Sequence, residues 1–172
     1  MDDNDKKITE IDKVEMTINK QGDQIWWKGN KLHREDGPAI ERANGTKEWH
    51  LNGKLHREDG PAVERANGTK EWYLNDKLHR EDGPAVERGD NGNKEWRQYD
   101  KLHRKDGPAI ERYDGSNFWY LEGKLHREDG PAIEYSNGEK VWSLHGEEVT
   151  EEEFNQLQRT KQFNDNINEA LK

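Results

Sequence analysis

The side chains capable of chemistry concentrate in one motif used five times. Leu-His-Arg-Glu-Asp-Gly-Pro-Ala starts at Leu32, Leu55, Leu78 and Leu125, and at Leu102 with Lys105 in place of glutamate. It sets His33, His56, His79, His103 and His126 each before an arginine and, in most copies, two acids. An imidazole beside carboxylates suits acid–base work or a metal site. The row Arg34, Arg57, Arg80, Arg104 and Arg127 suits a small anion such as a nucleotide signal or a lipid headgroup. An active site needs one special constellation, however, and this one recurs in every copy. Lys105 replaces the acid with no other change, which points the same way. The expectation is structural: arginine and aspartate of each loop pair with neighbouring loops, and histidine bonds to backbone at the turn. No catalytic residue, metal site or cofactor is expected. With no cysteine there is no thiolate zinc site, cysteine nucleophile or disulfide. His33-Arg34-Glu35 lacks the cysteine pair of the zinc deaminases, and no P-loop, Gly-x-Ser-x-Gly or calcium loop occurs.

These residues need elements to hold them, and the spacing says which. The motif recurs after 23, 23, 24 and 23 residues, and Trp26, Trp49, Trp72, Trp96, Trp119 and Trp142 keep the same beat. A short fixed period signals stacked repeats. Pro61–Ala66 and Thr69–Leu74 read as strands around Asn67-Gly68, a hairpin signal for a two-residue type I′ turn. Asn44-Gly45, Asn91-Gly92, Asp114-Gly115 and Asn137-Gly138 take that place in other copies. Such a turn pairs Val63 with Trp72, and likewise Ile40 with Trp49, Ile110 with Trp119 and Ile133 with Trp142. Pro61, Val63, Trp72 and Leu74 then share an apolar face. Ala62, Glu64, Glu71 and Tyr73 share a wet one. The extra residue near Gly89-Asp90 reads as a β-bulge that restores Val86 to Trp96. The core is thin, so one unit cannot stand alone and stacked neighbours must share their faces.

The ends differ from the repeats. Residues 1–13 form a charged tail expected to be disordered, and Val14, Met16 and Ile18 alternate as an edge strand opening the array, 14–149. In 150–172, Thr150-Glu151-Glu152-Glu153 is a capping box. Phe154, Leu157, Phe163, Ile167 and Leu171 follow as one apolar stripe, with Asn164-Asp165-Asn166 a weak point. A helix capping the last hairpin is favoured; docking on another chain is the alternative.

Only 28% of the 172 residues are hydrophobic and 38% are charged, with a mean hydropathy of −1.45. No stretch is long and apolar enough for a transmembrane segment, and Met1–Lys7 holds no secretory leader. A cytoplasmic protein is the expectation. The net charge of −9 leaves no basic stripe for nucleic acid.

Trp-x-Leu-Asn-Gly-Lys-Leu-His-Arg-Glu-Asp-Gly-Pro-Ala, followed by a strand and an Asn-Gly turn, resembles the MORN-type repeat over residues 26–146. It is similar above all to the tandem Leu-His-Arg-Glu-Asp-Gly-Pro-Ala variant found in phage and large-virus proteins. The resemblance implies an elongated, twisted antiparallel sheet of stacked hairpins that acts as a scaffold, dimerises and binds proteins. The expected fold is thus an all-β repeat array with a C-terminal capping helix. The expected function is non-enzymatic binding of a protein partner through the sheet surface, with Trp27, Tyr73 and Tyr120 as contact residues and a homodimer as one arrangement. If the viral likeness holds, the protein is a virus-encoded inhibitor whose partner is a host defence protein met in the host cytoplasm. The alternative is anion sequestration by the five arginines.

Overall fold

A computed structural model describes residues 13–171, so the expected tail, residues 1–13, lies outside the described residues except for Lys13. Among the described residues the chain is an all-β array of short antiparallel hairpins with a C-terminal helix, α1, Glu151–Ala170. It divides into two compact units, up to Lys101 and from Leu102. Among the described residues no helix is long and apolar enough to cross a membrane.

Each repeat holds two hairpins, one more than its Asn-Gly signal predicts. In the second copy, Val63–Glu64 pairs with Lys70–Glu71, and Tyr73–Leu74 then pairs with Lys77–Leu78. Trp72 is the corner between them. Its N–H donates to the Ala85 carbonyl of the next repeat at 2.8 Å, and its carbonyl accepts from the His79 N–H at 3.0 Å. Trp26, Trp49 and Trp119 make the same two bonds.

The register corrects the sequence expectation by one residue. Val63 faces Glu71, not Trp72; Ile40 faces Glu48, Ile110 faces Phe118 and Ile133 faces Val141. The cause is turn chemistry. Arg65 N–H donates to the Thr69 carbonyl, so the loop is the three residues Ala66-Asn67-Gly68. Of these only Gly68 has positive φ, +84°, as in a type I turn ending in a left-handed residue. Asn67 contributes its side chain, accepting from the Thr69 N–H at 3.0 Å. The type I′ turns lie elsewhere, at Asn52-Gly53, Asn75-Asp76 and Glu122-Gly123, where both residues have positive φ. The extra residue of the third copy makes no bulge either. It lengthens the loop to four residues between Arg88 and Asn93, leaving Val86 opposite Glu95. Gly89 is required there: a Cβ would stand 2.2 Å from the Asn67 carbonyl oxygen of the preceding turn.

Directly opposed residues of an antiparallel pair share a face. In the first unit one row therefore reads Ile25, Ile40, Glu48, Val63, Glu71, Val86, Glu95, and the row behind it Gln24, Glu41, Lys47, Glu64, Lys70, Glu87, Lys94. In the second unit the first row is wholly apolar, Ile110, Phe118, Ile133, Val141. The core is built on alanine: Ala39, Ala62, Ala85, Ala109 and Ala132 are fully buried, with Ile40, Val63, Val86 and Phe118 beside them. Ala62 thus leaves the expected wet face, and the corner tryptophans are half-buried. Repeats are also joined by hydroxyls. Buried Thr46, Thr69 and Ser116 accept from the N–H of Ala66, Gly89 and Ser136, each one repeat on.

Val14–Ile18 is the terminal strand, paired with Gln24–Lys28 and exposed throughout. At the other end the expected capping box is present, with Thr150 and Glu153 each accepting from the other's N–H. Helix α1 runs unbroken through Asn164-Asp165-Asn166. It caps the array through buried Phe154 and through Lys161, whose ammonium lies 2.7 Å from Glu128. Leu157, Phe163, Ile167 and Leu171 stay exposed.

Candidate functional site

The repeated loops carry the densest polar chemistry, and their geometry is the same from copy to copy. In the first, the Arg34 guanidinium lies 4.1 Å over the Trp26 ring. Its Nε donates to Asp36 at 2.9 Å, and its Nη1 to the Pro38 carbonyl at 3.3 Å and to Glu41 at 3.2 Å. Arg57 on Trp49, Arg80 on Trp72 and Arg127 on Trp119 repeat the arrangement. A Cβ on Gly37, Gly60 or Gly83 would come within 3 Å of the guanidinium carbon. The loop glycine is there because the cation lies flat against its backbone. Arginine and aspartate therefore pair within one loop rather than between neighbouring loops. The hydrogen bond from the guanidinium, helped by its charge, pulls Asp36, Asp59 and Asp82 below the usual carboxylate range.

The histidines turn inward. Nδ1 of His33, His103 and His126 accepts from the backbone N–H of Asn52, Glu122 and His145, each in the next repeat. Their backbone bonding matches the expected structural role. In His56 and His79 the Nδ1 atoms are buried without a partner. On the outer side Nε2 lies 3.3 Å from Glu35, 3.7 Å from Glu58 and 3.8 Å from Glu81 and Glu128. Burial and the neighbouring His145 lower the affinity of His126 for a proton. Among the described residues no group of three or more His, Asp and Glu is arranged to hold a metal ion.

Trp27, Tyr73 and Tyr120 occupy one equivalent position, directly after the corner tryptophan, and all are half-buried. Tyr73 donates to Glu71 at 3.3 Å, and the Trp27 indole N–H to Thr17 at 3.2 Å. Other copies place His50 or Arg97 here, bonded to Glu48 and Glu95. These contacts expose a network that sequence reasoning missed: Glu48, Glu71 and Glu95 point into the molecule, each met by an arginine two residues past its strand partner. Glu48 bonds Arg42 at 2.7 Å and His50 at 3.3 Å, and Glu71, 6% exposed, bonds Arg65 at 3.0 Å. The hydrogen bond with His50 is the largest influence on Glu48; burial opposes it, Arg42 adds to it, and its pKa is drawn to about 2. The signal was Lys-Glu-Trp at 47–49, 70–72 and 94–96, preceded by Arg42, Arg65 and Arg88, legible only with the right loop length.

Open clefts flank the loops. One of about 710 Å³ is lined by Trp49 and Leu51 with the 34–38 and 56–59 loops on either side. Another, of about 570 Å³, lies between the first loop and Val14 and holds Trp26, Lys28, Arg34 and the acids Glu35 and Asp36. In the second unit one of about 760 Å³ is lined by Trp119, Leu121 and the acids Glu128 and Asp129. Glu35 and Glu58 lie on the rims of the first-unit clefts, 77% and 85% exposed, and Glu81 of the third loop is 83% exposed.

No protein-family model matches this chain, and no curated protein matches it significantly.

Proposed function

We propose that the protein is a non-enzymatic repeat scaffold that engages a protein partner through the surface of its hairpin array. One observation carries the reading. In each described loop the arginine and its aspartate or glutamate already answer one another, while the outer carboxylates and cleft-lining tryptophans recur at a fixed interval. A surface of similar stations, broken by Lys105, is suited to an extended partner. The resemblance to MORN-type repeats implies the same role. Bonds from each guanidinium to its own loop weigh against the anion alternative, since a bound anion would have to displace them.

The test is affinity capture on the tagged full chain followed by cross-linking mass spectrometry. A stoichiometric protein complex with cross-links on Lys31, Lys54 and Lys77 is the expected result. Capture of no stoichiometric partner from low to high salt, or a catalytic turnover abolished by His79→Ala, overturns it.

A further inference from the structure

We infer that the loop edge of the first unit binds a basic segment in the polyproline II conformation, with a cation at every third residue. The inference rests on the scaffold reading and names the partner's chemistry. Three observations carry it.

The first is the shape and lining of the clefts. Trp26 and Trp49 line them, each with one face under Arg34 or Arg57; Asp36 and Asp59 pair with those arginines, and Glu35 and Glu58 stand outermost on the rim. Aromatic-lined grooves are the surfaces on which polyproline II segments dock. The second is the chain's own use of this loop position. Glu128 corresponds to Glu35, Glu58 and Glu81, and it holds the ammonium of Lys161 at 2.7 Å. In the first unit the three equivalent carboxylates lie 3.3 Å, 3.7 Å and 3.8 Å from their histidine rings, the one contact each makes among the described residues.

The third is spacing. Each repeat contributes two strands to the ladder, so equivalent carboxylates recur about every 9.6 Å, given ~4.8 Å between strands. Every third residue of a polyproline II helix returns to one side after about 9.3 Å. An α-helix repeats a face after seven residues, about 10.5 Å, and drifts by roughly 1 Å per repeat. A β-strand turns every third residue to the opposite side. The polyproline form alone keeps both distance and side.

The test uses the full chain and labelled peptides in fluorescence anisotropy: (Lys-Pro-Pro)4, the out-of-step (Lys-Pro)6 and (Glu-Pro-Pro)4. The variant is Glu35→Gln/Glu58→Gln/Glu81→Gln, whose side chains leave the arginine bonds untouched; circular dichroism checks its fold. (Lys-Pro-Pro)4 should bind, shift tryptophan emission, and lose at least tenfold in affinity in the variant, with (Lys-Pro)6 at least tenfold weaker on the native chain. Equal affinity for variant and native chain, equal affinity for the two basic peptides, or no binding at low salt overturns the inference. A stoichiometric protein complex that survives in the triple variant would leave the scaffold reading standing and remove this one.

Discussion

At the scale of single residues, the repeat is organised around an arginine clamped between a tryptophan and a glycine. Lysine could not replace it, because a point charge cannot lie flat on the indole and send three directed bonds to aspartate, proline carbonyl and glutamate at once. A second residue-scale feature is the inward carboxylate of Glu48. Its ordinary pKa of 4.5 falls to about 2 in the fold. A depressed folded-state value stabilises above the unfolded value and is lost as pH falls through the folded one. The melting temperature should therefore drop as pH goes from about 4.5 to about 2, with Glu48 contributing ~3 kcal/mol. Thermal melts of native and Glu48→Gln protein across that window check this. A smaller acid-induced loss in the variant is expected; identical losses would deny Glu48 the role.

At the scale of elements, two turn chemistries share the same dipeptide. Asn67-Gly68 closes a three-residue loop through the asparagine side chain, whereas Asn52-Gly53 forms a two-residue turn with both backbones left-handed. The flanks decide which. Between Leu51 and Lys54 the strands are continuous, while after Arg65 the ladder closes on Thr69 and buries its hydroxyl. That hydroxyl accepts from Gly89 N–H in the next repeat at 3.1 Å. Thr69→Val keeps the shape and removes the acceptor, so it should cost ~1–2 kcal/mol. Urea unfolding measures it. No change in midpoint would mean the repeats are joined by backbone ladders alone.

At the scale of the whole molecule, stability comes from neighbours rather than from any one core. Among the described residues the fully buried side chains of the array are small, the five alanines with Thr69 and Ser143, and a 23-residue unit buries too little to stand alone. The last hairpin has no further repeat beside it, and α1 supplies the missing cover through Phe154, 4% exposed. Phe154→Ala should destabilise the second unit by ~3–5 kcal/mol. Leu171→Ala, at an 81% exposed position, should leave the melting temperature unchanged. Equal effects from the two substitutions would show the helix capping along its whole length.

Much of this was legible from residues alone. The period, the Asn-Gly-closed hairpin of each repeat, the capping box and the structural duty of the histidines all follow from local spacing, because each needs only a few residues of chain to specify it; the tryptophans, expected on the buried face, are only half-covered. Register did not follow, since Asn-Gly suits both a two- and a three-residue loop and one step inverts every face. Nor did the partners of Arg34, Glu48 and Lys161. Those contacts join segments that only stacking brings together, and the distances that saturate one charge and leave the next exposed exist only once the repeats are packed.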